Sequence, residues 1–534
     1  SCGATQLCNC SSMGLDSIPP GLTGKITVLN LAHNRIKHIR SQDLQQAVNL
    51  RTLLLQSNQI SSIDEDSFRS LGKLELLNLS SNSLADLSSA WFEQLFSLQH
   101  LDLQGNSYRD LGESSPFSSL RSLSSLHVGN PWFSTIRQGN FKGIEFLDNL
   151  WIDGGNLSQY EPGSLKLIKK INHMIINLRN NNILLAIIRD LLHSVTWLEV
   201  REIKLEIAEK ILVQNSTLPL SLRKLTIKDV SATDRHLSRI LVLLKEITSL
   251  QEIEAIDCVL EGKGDWDVEE IKRSGPSPVE TVSIINLMIP SFHLFYDMDG
   301  MESQISALKR LTIASSKVFM VACKLAKNFT SLQYLDFHDN LLGNNRLSET
   351  ICEDAWPSLQ TLNLSQNSLK SLKQTANSVT RLPKLTNLDI SQNNFGEIPD
   401  VCEWPKNLKY LNLSSTQIPK LTTCIPPTLE VLDISANNLR EFGLQLQFLK
   451  ELYLAKNQLK TLPGAALIPN LVAMSIRRNK LNSFSREEFE SFKKMELLDA
   501  SENNFICSCE FLSFIHHQAG IAQVLVGWPD KYIC

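Results

Sequence analysis

No apolar run in this chain of 534 residues reaches the length of a membrane span; the most apolar stretch, Ile183 to Leu192, is interrupted by Arg189. An excess of charge of one sign is missing as well. A net charge of −4 with 20% charged residues leaves no basic field to attract nucleic acid, and gives no case for acidic substrates or bare anionic membranes. Catalytic signatures are absent: no glycine-rich phosphate loop, zinc spacing or nucleophile elbow occurs in a suitable context. Lone Ser, His and Asp residues lie scattered without convergent spacing, so neither an enzyme nor a cofactor is expected. The pair His516-His517 beside Cys507 and Cys509 could suggest a metal site, but these cysteines suit a disulfide cap better, and no metal is expected. No secretory signal is visible, although Ser1-Cys2 looks like a processed start.

One further absence is periodic. The frame Leu-x-x-Leu-x-Leu-x-x-Asn-x-Leu opens at Leu50, Leu53, Leu55, Asn58 and Ile60, recurs at Leu74, Leu77, Leu79, Asn82 and Leu84, and again from Leu98 to Asn106. From about Leu123 to Ser316 the leucines persist while the asparagine is missing eight times running, returning at Asn340. The first apolar positions are Ile26, Leu50, Leu74, Leu98, Leu123, Leu147, Ile171, Val195, Leu222, Leu250, Val279, Leu308, Leu332, Leu359, Leu385, Leu408, Leu429, Leu449, Leu471 and Met495, which makes twenty turns. A frame of this kind with a period of about 20–29 residues is the leucine-rich repeat signature, one short strand plus a returning segment per turn. In Leu77-Asn78-Leu79 the alternation puts both leucines inside and Asn78 on the outer face. The expected fold is therefore α/β, a leucine-rich repeat solenoid (horseshoe) with a parallel β-sheet on the concave face and a cap at each end.

Spacing divides the array. Early intervals are 24 or 25 residues, later ones lengthen to 27, 28, 29 and 29 by Leu308, and late ones shrink to 21 and 20. With a short strand in every turn, the extra residues belong on the convex return. The expected organisation is an N-terminal cap over 1–25, regular repeats over 26–122, central irregular repeats lacking the asparagine over 123–331, C-terminal repeats over 332–504 and a partial cysteine-rich cap over 505–534.

Eleven cysteines, several in pairs that fit disulfide geometry, point to an oxidising compartment. Cys402 and Cys424 lie at nearly equivalent places in adjacent turns, which stack roughly 4.8 Å apart. Cys323 and Cys352 can pair similarly. Cys2 and Cys8 fit a small N-terminal cap; Cys507 and Cys509 with Cys534 begin a C-terminal one, and with no partner for Cys509 the chain is expected to be cut inside that cap. Cys10 and Cys258 are left over, Cys258 as a buried thiol. The sequons at Asn9, Asn78, Asn156, Asn215, Asn328, Asn363 and Asn412 favour a secreted or cell-surface glycoprotein, with glycans expected at all but Asn9.

The long turns hold the one candidate ligand site. Met288-Ile289-Pro290-Ser291-Phe292-His293-Leu294-Phe295-Tyr296 and, one turn on, Lys317-Val318-Phe319-Met320-Val321-Ala322 carry more apolar side chains than a return segment needs, and Trp266 adds another. Two readings stay open: a cavity opening on the convex surface, or the extra apolar residues that an enlarged local core requires. A solenoid can also bind proteins through its concave face, as adhesion and matrix proteins do; glycans at Asn78, Asn363 and Asn412 would obstruct such a partner.

Strings outside the leucine frame carry a resemblance. Phe295-Tyr296-Asp297, Ser316-Lys317-Val318-Phe319, Cys352 to Leu362, Tyr410 to Thr416 and Phe505 to Phe514 make the chain similar to the ectodomains of Toll-like receptors over nearly its whole length. The resemblance implies the extracellular part of a cell-surface, single-pass type I receptor of innate immunity, membrane-anchored when full length. It implies that acyl chains of bacterial di- or triacylated lipopeptides enter a convex-side pocket, followed by heterodimerisation with Toll-like receptor 1 or 6 or a relative. The pocket carries over onto Leu294, Phe295, Tyr296, Val318, Phe319 and Met320, with Leu260 and Trp266 further inside, and Phe319 and Met320 form the rim that meets head group and partner. His293, Met320 and Trp266 replace the Tyr, Leu and Phe of the mammalian receptors, which leaves the preferred acyl length open.

Overall fold

The computed structural model describes residues 6–205, 220–262, 276–290, 302–506, 508–509, 511, 513–514, 521–528 and 530–532. The chain forms two compact units, one holding it up to Val279, the other holding the strand Thr281–Ile285 and the chain from Glu302 onward. Each of the twenty expected turns supplies one strand, and each strand contains the second frame position of its turn. In the first unit the parallel register runs Leu29, Leu53, Leu77, Leu101, Leu126, Leu150, Met174, Leu198, Leu225, Ile253. In the second it runs Val282, Leu311, Leu335, Leu362, Leu388, Leu411, Leu432, Leu452, Met474, Leu498. Leu29, Leu53, Leu77, Leu362 and Leu388 are fully buried, each contributing about 1.5–3 kcal/mol of apolar burial. The strand Leu7–Asn9 extends the first ladder at its N-terminal end, Cys8 opposite Leu29.

The frame asparagine closes each strand. Asn58 donates from Nδ2 to the carbonyls of Leu55 (3.0 Å) and, one turn back, Leu31 (2.9 Å), while its Oδ1 accepts from the Ile36 amide at 3.1 Å. Asn82, Asn106, Asn393, Asn457 and Asn479 donate to the preceding turn in the same way. Where the asparagine is missing the strands are not short, contrary to expectation. Phe146–Gly154 and Lys170–Leu178 run nine residues each, against three for Thr52–Leu54 or Thr361–Asn363. With Gly155 and Arg179 in the asparagine's place, the backbone goes on pairing between strands as far as Gly154 and Leu178.

Helices fill several returns. Asn181–Leu191 is capped by the Asn180 side chain and buries Ile183, Leu184, Ile187 and Leu191 on one stripe. Asp234–Glu246 is capped by Thr233, and the second unit carries Cys323–Asn328, Asn344–Thr350 and Leu372–Val379. Cys323 is joined to Cys352 and Cys402 to Cys424. Cys8 is disulfide-bonded, whereas Cys2, Cys507 and Cys534 lie outside the described residues. Among the described residues no helix is long and apolar enough to cross a membrane.

Candidate functional site

In the second unit the strand Arg310–Ala314 is followed by two left-handed residues, Ser315 and Lys317, and then by the extended segment that leads into the helix Cys323–Asn328. Three features of the following turn fix this segment. Asn340, where the ladder resumes, accepts through Oδ1 from the amides of Ser316 (3.1 Å) and Val318 (3.0 Å), and the Leu341 amide donates to the Val318 carbonyl at 2.8 Å. The fully buried Thr350 hydroxyl accepts from the Val321 amide at 3.1 Å and donates to the Val321 carbonyl at 2.9 Å. The Cys323–Cys352 bond ties the helix start to the same turn. Phe319 and Met320 sit between these anchors and are half-buried, not packed away. The Arg346 guanidinium lies 3.8 Å from Met320 Sδ and pairs with Glu349 at 2.7 Å. Chemically the run Val318 to Ala322 is apolar surface held in a fixed backbone conformation, with no group for acid–base work.

Leu260 belongs to the first unit. It lies in the short return-side strand Val259–Glu261, opposite Ala232, and its amide donates to the Met288 carbonyl at 2.9 Å. Its side chain is buried and Met288 is exposed. Val318, Phe319 and Met320 therefore share one loop in one unit while Leu260 lies in the other; Trp266, His293, Leu294, Phe295 and Tyr296 fall outside the described residues. Thr350 carries no signal in the sequence, since its partner Val321 is 29 residues away. Asn340 was visible as the resumption of the ladder, but not as the anchor of Val318.

Of the sequon asparagines, Asn78, Asn363 and Asn412 each end a strand and point to its outer face, Asn156 and Asn328 lie on returns, and Asn215 is outside the described residues. His516 and His517 also lie outside them; among the described residues no three His, Cys, Asp or Glu side chains are grouped to hold a metal ion. Cys258 sits where the frame asparagine would stand, its Sγ 3.6 Å from the Ile227 carbonyl of the preceding turn and 3.3 Å from that of Ile256. Burial pushes its thiol pKa up, which fits a structural thiol and not a nucleophile.

Comparison with known proteins agrees with this architecture. A leucine-rich repeat family model matches residues 48–107, 357–418 and 447–505. The chain is 77% identical to chicken Toll-like receptor 2 type-1 over 100% of its own length and 67% of that protein, and 49% identical to human Toll-like receptor 2 over 100% of its own length and 68% of that protein. Among solved structures, the mouse RP105/MD-1 complex aligns with a TM-score of 0.57 at 18% identity, covering 98% of this chain and 94% of that one. The TLR13–ssRNA13 complex aligns at 0.54 and 20% identity, covering 98% and 75%. At such identities the structural matches speak for the solenoid fold alone.

Proposed function

The chain belongs to the Toll-like receptor 2 family, pattern-recognition receptors of innate immunity with no enzymatic activity, and on that premise we propose that it binds the acyl chains of bacterial di- or triacylated lipopeptides and then pairs with a related receptor, Toll-like receptor 1 or 6 or a relative, at the surface of the cell that carries it. The observation that carries this reading is the loop Val318-Phe319-Met320. It presents apolar side chains at partial exposure on a backbone fixed by Asn340, Thr350 and the Cys323–Cys352 bond. An apolar loop left half-exposed costs solvation, and a ligand that covers it recovers that cost. Each methylene buried contributes about 0.8 kcal/mol, so ten carbons of one chain contribute roughly 8 kcal/mol before ordering and association costs. The family resemblance adds Leu260, Trp266, Leu294, Phe295 and Tyr296 to the proposed acyl-binding residues. Phe319 and Met320 form the rim of the proposed site, and a ligand that touches both receptors there favours the dimer because only differential contacts shift an equilibrium.

The test is sedimentation of the ectodomain with its partner ectodomain and a diacylated lipopeptide. Phe319→Ala is expected to weaken lipopeptide-dependent association by about tenfold, the equivalent of 1.4 kcal/mol, with an unchanged melting temperature. Undiminished association in that variant would remove Phe319 from the rim, and lipopeptide that fails to bind the wild-type ectodomain at all would overturn the reading.

A further inference from the structure

The first unit carries a cleft remote in sequence from the loops just described. Gln6, Gly24 and Lys25 of the cap, Thr27 and Asn49 of the first turn, and Arg51 and Lys73 of the second line a volume of about 480 Å³, within the range of small-molecule sites. Lys25, Asn49 and Lys73 each immediately precede the first apolar residue of a turn, and Thr27 and Arg51 each follow one, so the parallel stack brings them to one flank. The same positions in the next turns are Glu75, Ser97, Gln99, Ser122 and Ser124, and the basic character stops after Lys73.

The lining is internally braced. Asn49 Nδ2 donates to the Gly24 carbonyl at 2.7 Å, and its Oδ1 accepts from Lys73 Nζ at 2.7 Å. Arg51 is paired with Glu75. Among the described residues Lys25 makes no ion pair, and the partner of Lys73 is a neutral amide, so two positive charges are left uncompensated in a chain whose net charge is −4. No aromatic side chain lines the cleft to stack a base, and no apolar wall is offered to an acyl chain. What remains is cationic donors interleaved with amide and hydroxyl groups, which matches oxyanions carried on a polyhydroxylated scaffold.

We propose that this cleft is a binding site for a sulfated saccharide, with Lys25 and Lys73 contacting sulfate esters and Asn49, Thr27 and Gln6 meeting the sugar hydroxyls. The site is independent of the acyl-binding reading. The experiment is calorimetry of the ectodomain with a heparin-derived tetrasaccharide, its fully desulfated counterpart and inorganic sulfate. The sulfated tetrasaccharide is expected to bind, the other two to bind at least about tenfold more weakly, and binding to fade towards molar salt as exposed charges are screened. The double variant Lys25→Gln/Lys73→Gln is expected to lose about tenfold in affinity, and Glu75→Gln to gain severalfold by removing the competing carboxylate. All three positions are at the surface, so melting temperature and lipopeptide-dependent association serve as controls and should not move. Absent binding, equal affinity for the desulfated sugar or for sulfate alone, or an unchanged affinity in the double variant would each overturn the proposal.

Discussion

Asn367 makes four hydrogen bonds with one side chain: Nδ2 to the carbonyls of Phe337 (2.9 Å), Leu364 (3.1 Å) and Ser365 (3.1 Å), and Oδ1 from the Leu342 amide at 3.0 Å. Two of these reach the preceding turn. Thr416 does part of the same work in its own turn, donating to the Leu413 carbonyl at 2.7 Å while Asn437 Oδ1 accepts from its amide at 3.1 Å. Cys258 does less, because a thiol is a weak donor. The cost of deletion should follow that order. Asn367→Ala leaves several interior backbone groups unsatisfied and is expected to lower the local stability of its turn by about 3 kcal/mol, whereas Cys258→Ala should cost under about 1 kcal/mol. Hydrogen exchange of the amides around each site measures both, and equal losses would mean that the ladder residues act by shape and not by hydrogen bonding.

At the scale of elements, the long central strands create a polar and aromatic row on their outer face. His173 stacks on Trp197 with centroids 3.7 Å apart, and Lys224 lies over the same indole at 4.6 Å. His173 Nε2 is buried and makes no hydrogen bond, the Glu199 carboxylate standing 3.5 Å away and holding Arg201. Burial lowers the His173 pKa below its ordinary 6.5; Glu199 opposes the shift, and Arg201 and Lys224 reinforce it. In the pH range just below 6.5 the unfolded chain therefore binds a proton that the folded strand resists. The stability this histidine contributes is complete above 6.5 and is lost as pH falls towards the folded pKa. His173→Phe keeps the stack and removes the titration, so its melting temperature should fall less steeply than wild type's on acidification from pH 7 to 5. Parallel curves for the two proteins would show that the histidine is not the titrating group.

For the whole molecule, the turns were legible because leucine recurs in one register, and twenty strands stand where twenty frames were read. The left-handed residue just before the ladder position was not legible: His33, Ser57, Ser81, Asp339, Gln366 and Gln392 all adopt φ of 53–58° there without a shared side chain or a glycine. The Lys25–Arg51–Lys73 flank was equally hidden, since its members become neighbours only once the turns stack. Of the proposed acyl-binding loop, Val318, Phe319 and Met320 were legible in the sequence but Thr350 was not, because its hydroxyl meets backbone atoms common to every residue. Stacking also determines how a local lesion should spread. Each turn contacts its immediate neighbours, so stability is close to a sum of turn and interface contributions rather than one shared quantity. Cys402 and Cys424, 22 residues apart, close a loop whose cross-link contributes roughly 3 kcal/mol through the unfolded chain. The double variant Cys402→Ser/Cys424→Ser is expected to accelerate amide exchange in the strands Asn387–Asp389, Tyr410–Asn412 and Val431–Asp433, less in the next turn on either side, and not at all in Thr52–Leu54 or Leu76–Asn78. Uniform acceleration along the chain would instead require all twenty turns to open as one cooperative block.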